Sequence, residues 1–162
     1  MYVIYAIVFG VIYWLFARYN PTVGGASYPS PPTEYRPRSK YFSDWKHAAD
    51  KRGIPYSVMD AAIFVESRDN LDTNGKAGEV GAFQILPATQ KSLLAKYPEL
   101  IPLNIYSVAG NAEYSAALFQ SLYRKFSNWP QAIVAYNAGE NNSRVKNPLS
   151  DWYYLRYINH WR

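Results

Sequence analysis

The first seventeen residues, Met1 to Ala17, carry no charge and are mostly large and apolar, and this run decides how the rest of the chain must be divided. At the helical rise it gives roughly 26 Å, the lower limit for crossing a hydrocarbon core. Tyr2, Tyr5, Tyr13 and Trp14 lie toward its two ends, where amphipathic rings favour the headgroup level. A cleaved signal peptide is the competing reading, but it wants a basic stretch before the apolar core and small residues at the cut, and neither is clear here. Residues 1–19 are therefore expected to form a transmembrane anchor. Arg18 is the one charge near the span, too little for the positive-inside rule to set its orientation.

From Asn20 to Lys40 the composition changes: Pro21, Pro29, Pro31, Pro32 and Pro37 are interleaved with Gly24, Gly25, Ser27, Ser30 and Ser39. Residues 20–40 read as a linker. Extended polyproline II at about 3.1 Å per residue would let it hold a domain up to roughly 60 Å from a bilayer. That leaves residues 41–162, enough for a single core.

Helical signals dominate this remainder. Ser43 is placed to cap a helix through Trp45, Ala48 and Ala49 that Gly53 and Pro55 close, and Ser57 to cap a second. In that second helix Val58, Ala61, Ala62 and Val65 recur at helical spacing, with Met59, Ile63 and Glu66 in the adjacent row. Residues 67–83 are rich in Asn, Asp and Gly and suit a loop or short hairpin. Further helices fit Pro87 to about Pro98, Val108 to Phe126, Pro130 to Asn137 and Leu149 to Trp161. The expected class is mostly α, with at most a small β-hairpin after Glu66.

Composition narrows the chemistry. The chain has no cysteine, which excludes disulfides, thiolate nucleophiles and cysteine zinc sites. His47 and His160 have no metal-ligand spacing, so neither a metal nor another cofactor is expected. The net charge of +5 suits any polyanion, but Lys and Arg are scattered and no recognition motif accompanies them, so nucleic acid is not an expected partner.

Glu66 is the residue where chemistry becomes plausible. A carboxyl at the C-terminal end of an apolar helix has its pKa raised by desolvation and by the negative end of the helix dipole. Still protonated near neutral pH, it is suited to protonate a leaving glycosidic oxygen. Two later segments supply polar groups in apolar surroundings: Gly81-Ala82-Phe83-Gln84 and Ala135-Tyr136-Asn137-Ala138-Gly139.

In this order and spacing, with Glu66-Ser67 leading, the three segments resemble the catalytic domain of soluble-type lytic transglycosylases in the lysozyme-like superfamily. The resemblance covers roughly residues 43 to 162, and its most specific element is the complete Ala-Tyr-Asn-Ala-Gly match. It implies an α+β lysozyme-like fold with Glu66 as the sole catalytic acid and base. It further implies a sugar groove lined by Ser67, Gln84, Tyr136 and Asn137, and a tyrosine of the last helix reaching the glutamate. Tyr157 is the best match for that tyrosine, with Tyr153 and Tyr154 close by. The sequence departs from the family pattern at Ala82 and Phe83, where Leu-Met is usual. It departs again at Val108, where a glycine is typical four residues after Asn104.

The implied reaction is cleavage of the MurNAc-GlcNAc β-1,4 bond of peptidoglycan, giving a 1,6-anhydro-muramoyl end. A hydrolytic outcome resembling goose-type lysozymes is the alternative, with Asp69, Asp72 or Glu79 positioning water. A wall-binding structural protein without turnover is another. The expected setting is membrane-anchored, facing peptidoglycan: a bacterial inner membrane and periplasm, or the internal membrane of a phage virion, beside other envelope or virion proteins.

Overall fold

A computed structural model describes residues 28–71, 75–144, 146–148 and 151–162. The anchor assigned to residues 1–19 and the first part of the linker lie outside the described residues. Among those described, no helix is long and apolar enough to cross a membrane.

Helix α1 (Phe42–Arg52) leads through Gly53, which takes the left-handed conformation at φ 65°, into α2 (Tyr56–Ser67). Neither expected serine cap forms: Tyr41 and Pro55 hold the N-cap positions, and Ser43 and Ser57 are each the second residue of their helix. Pro55 explains the shift, since its fixed φ and missing N–H suit a helix start. Helix α2 is apolar nearly all round, with Val58, Met59, Ala61, Ala62 and Ile63 wholly buried, and a helix of that kind must run through the core.

A loop then leads to α3 (Pro87–Lys96), a single 3₁₀ turn (Pro98–Leu100), the long α4 (Val108–Phe126) and α5 (Trp129–Ala138). The short α6 (Glu140–Ser143) and the closing α7 (Trp152–Trp161) complete the order. Three of these starts are capped as side-chain chemistry favours. Ser107 Oγ accepts from the Gly110 N–H at 3.1 Å, Asn128 Oδ1 from Gln131 at 2.8 Å, and Asp151 Oδ1 from Tyr153 at 3.1 Å. Helix α1 packs on α4, α4 on α5, and α2 on α7, so the C-terminal half of α2 is enclosed by elements distant in sequence.

The hairpin expected after Glu66 reduces to one antiparallel bridge, Val80 to Ile85, with both N–H···O bonds at 3.0 Å. Among the described residues there is no longer strand. Four intervening residues, with Gly81 and Gln84 both at positive φ (75° and 49°), turn the chain too tightly to extend the pairing.

Residues 28–40 are irregular and extended, as their prolines require, yet they lie against the helices. Tyr35 Oη donates to Asp60 Oδ2 at 2.7 Å, and the backbone N–H groups of Arg38 and Ser39 donate to the same carboxylate at 3.1 and 2.8 Å. Tyr154 Oη donates to the Pro29 carbonyl. The reach of a free linker therefore does not apply to this part. Composition reports backbone stiffness, whereas docking depends on where buried acceptors lie.

Candidate active site

Glu66 occupies the last turn of α2, half-buried, with Ile63 and the wholly buried Met59 and Ala62 on the preceding turns. Burial pushes its carboxyl from an ordinary 4.5 up to about 7. A hydrogen bond from Tyr153 and the charge of Arg156 pull the other way, while Glu79 adds to the rise. Near neutral pH the group is therefore poised between its protonated and ionised forms.

The tyrosine that reaches Glu66 is Tyr153, whose hydroxyl donates to Oε1. Tyr157, the residue expected there, stands one step behind: its hydroxyl lies 3.1 Å from that of Tyr153. The two are one helical turn apart on the same face of α7, and both are wholly buried, Tyr157 at 0% exposure. Family spacing alone pointed to the wrong turn. Asp151, capping α7, fixes where its first turn begins and so brings Tyr153 to the carboxyl. Burial holds both hydroxyls far above the usual tyrosine range, so they act as neutral donors.

Ser67, expected beside the sugar, turns to the backbone. Its hydroxyl donates to the Ile63 carbonyl at 2.9 Å and accepts from the Asn70 N–H at 3.3 Å, and the residue is buried. A serine at a helix end readily satisfies local backbone groups in this way. Beyond it, Arg68 and Asp69 both take positive φ, 56° and 62°, and their N–H groups return to the Phe64 and Ile63 carbonyls. Non-glycine residues in this region cost roughly 1–2 kcal/mol each, so the turn must be held from outside. Asp69 is buried and accepts from Ser39 Oγ at 2.6 Å and the Lys40 N–H at 3.0 Å.

Tyr136 projects from α5, stacked on Phe119 with ring centroids 4.3 Å apart, and its hydroxyl donates to the Phe83 carbonyl at 2.8 Å. It lies near enough for the charge of Glu66 to contribute, after burial, to its raised pKa. The second and third motifs thus meet through Tyr136 and Phe83. Gln84, half-buried, donates from Nε2 to the Gly81 carbonyl at 2.7 Å, and Asn137 is exposed at the end of α5.

Asn111 was not legible as a site residue. Fully buried at the start of α4, it accepts from the Phe83 N–H at 2.7 Å and donates to the Val80 carbonyl at 3.0 Å. A Cβ on Gly81 would come within 2.7 Å of the Asn111 side chain, so that motif glycine is required by close approach as well as by its φ. The departure at Val108 is resolved nearby. Val108 opens α4, and the close approach falls at Gly110, whose Cβ would sit 2.0 Å from the Asn104 carbonyl oxygen.

His47 is exposed on α1, and His160 is paired with a carboxylate. His160 Nε2 lies 2.8 Å from Asp60 Oδ2, and among the described residues no group of three or more His, Asp or Glu is placed to hold a metal. Burial alone would raise the Asp60 carboxyl. Hydrogen bonds from His160, Tyr35 and the Ser39 and Arg38 N–H groups outweigh it and hold the pKa below the usual value.

A helical domain with a half-buried glutamate of raised pKa in the last turn of an apolar helix, facing tyrosines from two other helices, is of the lysozyme-like class. The transglycosylase SLT domain model matches residues 43–153, and the chain belongs to that family. The X-ray structure of an inactive mutant of lytic transglycosylase Slt from Pseudomonas aeruginosa is similar in fold, with a TM-score of 0.60 and 23% identity. The likeness covers 75% of this chain and 20% of that one, so this chain matches about a fifth of that protein's length.

Proposed function

We propose that this domain is a peptidoglycan lytic transglycosylase in which Glu66 is both acid and base. The observation that carries the reading is the Glu66 carboxyl itself, raised to about 7 at the end of α2 and held by the Tyr153 hydroxyl. With Oε1 engaged by Tyr153, Oε2 carries the proton toward the glycosidic oxygen between MurNAc and GlcNAc. The C–O bond breaks as that oxygen is protonated, and the substrate's N-acetyl carbonyl stabilises the positive anomeric carbon, so no second carboxylate is needed. Glu66, now ionised, takes the proton of the muramoyl 6-hydroxyl as its oxygen closes on that carbon. The product is the 1,6-anhydro sugar, and the enzyme regains its starting proton.

In this reading Tyr136, Asn137 and Gln84 line the sugar groove. Trp152, 56% exposed and edge-on to Tyr153, with the Arg156 guanidinium 5.9 Å from its ring centroid, adds an aromatic face. Such faces suit sugar rings, which present apolar C–H surfaces.

One observation favours the hydrolytic alternative. Glu79 is near enough to raise Glu66, and its Oε2 also accepts from the Ala77 N–H at 2.9 Å. Asp69 is committed to Ser39 and Lys40, and Asp72 lies outside the described residues. Mass spectrometry of a peptidoglycan digest by the full chain separates the outcomes. Anhydro-muramoyl ends support the transglycosylase, reducing ends support the hydrolase, and no cleavage supports a wall-binding protein.

The setting belongs to the same proposal. The uncharged run 1–17 supports anchoring in a membrane beside peptidoglycan, either the bacterial inner membrane or the internal membrane of a phage virion. Flotation of the full chain with liposomes, lost on deleting residues 1–19, is the expected result.

A further inference from the structure

Asp60 and Asp69 stand on either side of Glu66 along the chain, and between them they accept from three consecutive backbone N–H groups of the segment that precedes α1. Arg38 and Ser39 donate to Asp60, and Lys40 donates to Asp69 at 3.0 Å. Two side chains reinforce the contact: Tyr35 Oη on Asp60 at 2.7 Å and Ser39 Oγ on Asp69 at 2.6 Å. The segment is therefore fastened at two points, Asp60 in the middle of the helix that carries the acid and Asp69 in the turn just beyond its end, and Ser39 is itself buried. It lies outside residues 43–153 that the family model matches.

The turn it fastens holds strained backbone. Arg68 and Asp69 are consecutive non-glycine residues at positive φ directly after Ser67, a conformation that persists only where surrounding structure over-determines it. Beside the turn's own backbone bonds to Phe64 and Ile63, the structure that holds it includes Ser39 and Lys40.

We propose that residues 35–40 form a strap that sets the last turn of α2, making Ser39 and Asp69 positioning residues for Glu66. The proposal rests on Glu66 being the acid. Its logic is geometric. Releasing the strap lets the Arg68–Asp69 turn relax, the end of α2 frays, and water gains access to a carboxyl whose proton affinity depends on exclusion from water. The other groups facing Glu66 stay in place: Tyr153, Tyr157 and Arg156 from α7, Tyr136 from α5 and Glu79 from the loop.

The test uses the full chain with Ser39→Ala, Asp69→Asn and the conservative Ser39→Thr. The Glu66 side-chain carboxyl is titrated by carbon NMR, its signal assigned by its loss in Glu66→Gln, and muropeptide release is followed against pH. In Ser39→Ala and Asp69→Asn the Glu66 midpoint is expected to fall by about one pH unit from its value near 7. The alkaline limb of kcat should fall with it, at little change in KM, and Ser39→Thr should restore both. A midpoint unchanged in folded variants overturns the proposal. If neither variant folds, the proposal is also overturned, because the strap is then a folding element and not a positioning one. The titration needs no turnover, so a wild-type chain that releases no muropeptide refutes the proposed function while leaving the strap to be judged on the midpoint.

Discussion

Replacing Glu66 by glutamine should do more than stop the reaction: it should remove one carboxyl's contribution to the pH dependence of stability between about pH 4.5 and 7. The folded chain holds the Glu66 proton up to about pH 7, whereas the unfolded carboxyl releases it near 4.5. Below about pH 4.5 both states are protonated and the buried neutral acid makes its full contribution. As pH rises through the folded value that contribution is lost, because the folded state must ionise a desolvated group. The difference between 4.5 and about 7, at about 1.36 kcal/mol per pH unit, makes the loss about 3 kcal/mol.

Glutamine keeps the acceptor for the Tyr153 hydroxyl and has nothing to ionise. Glu66→Gln should therefore match the wild type near pH 4 and exceed it by about 3 kcal/mol at pH 8, which for a domain of this size is roughly 10 °C in Tm. The assay is denaturant or thermal unfolding of both proteins from pH 4 to 8, read as their difference. A difference that is flat across this range would show that Glu66 is not titrating there, and the argument for a proton-holding acid would fail. Activity in the variant should drop at least about a thousandfold, since one group supplies both proton transfers.

Three further outcomes follow from the geometry. Tyr153→Phe removes the donor that favours the ionised carboxyl, so the alkaline limb of the wall-cleavage profile should move up by about one pH unit, while Tyr157→Phe, one contact further away, should move it less. Asn111→Ala leaves the Phe83 N–H and Val80 C=O without their partner and should cost about 2–4 kcal/mol in denaturant unfolding, with loss of activity as the Gly81–Gln84 turn loosens. Gly110→Ala places a methyl against the Asn104 carbonyl and should cost about 1–3 kcal/mol; an unchanged Tm would show that the start of α4 has room to move.

Much of the helical order could be read from local pattern. The boundaries Val108–Phe126 of α4 coincide with the expected ones, because a strong N-cap and a long apolar face are both short-range signals. The starts expected at Ser43 and Ser57 fall two residues earlier, at Tyr41 and Pro55, and at α2 the fixed φ of Pro55 favours the earlier start. Of the loop or short hairpin expected after Glu66, a loop with one antiparallel bridge is what forms, since turn-forming composition says that the chain bends and not whether the flanks then pair.

The site divides along the same line. That Glu66 ends a buried helix follows from the apolar repeat Val58 to Val65, and a carboxyl so placed has its pKa raised wherever the helix docks. That Tyr153 and not Tyr157 meets it depends on a contact between residues 87 apart. That residues 35–40 are held in place depends on Asp60 and Asp69, 21 and 30 residues beyond Ser39. The sequence by itself determined which faces are apolar, roughly where helices run, and that Glu66 lies near the end of one of them. Only the tertiary structure decided which hydroxyl, which carboxylate and which backbone N–H face one another. Helical periodicity is a property of a few neighbouring residues, whereas a hydrogen bond between distant elements is set to within ångströms by how whole helices pack.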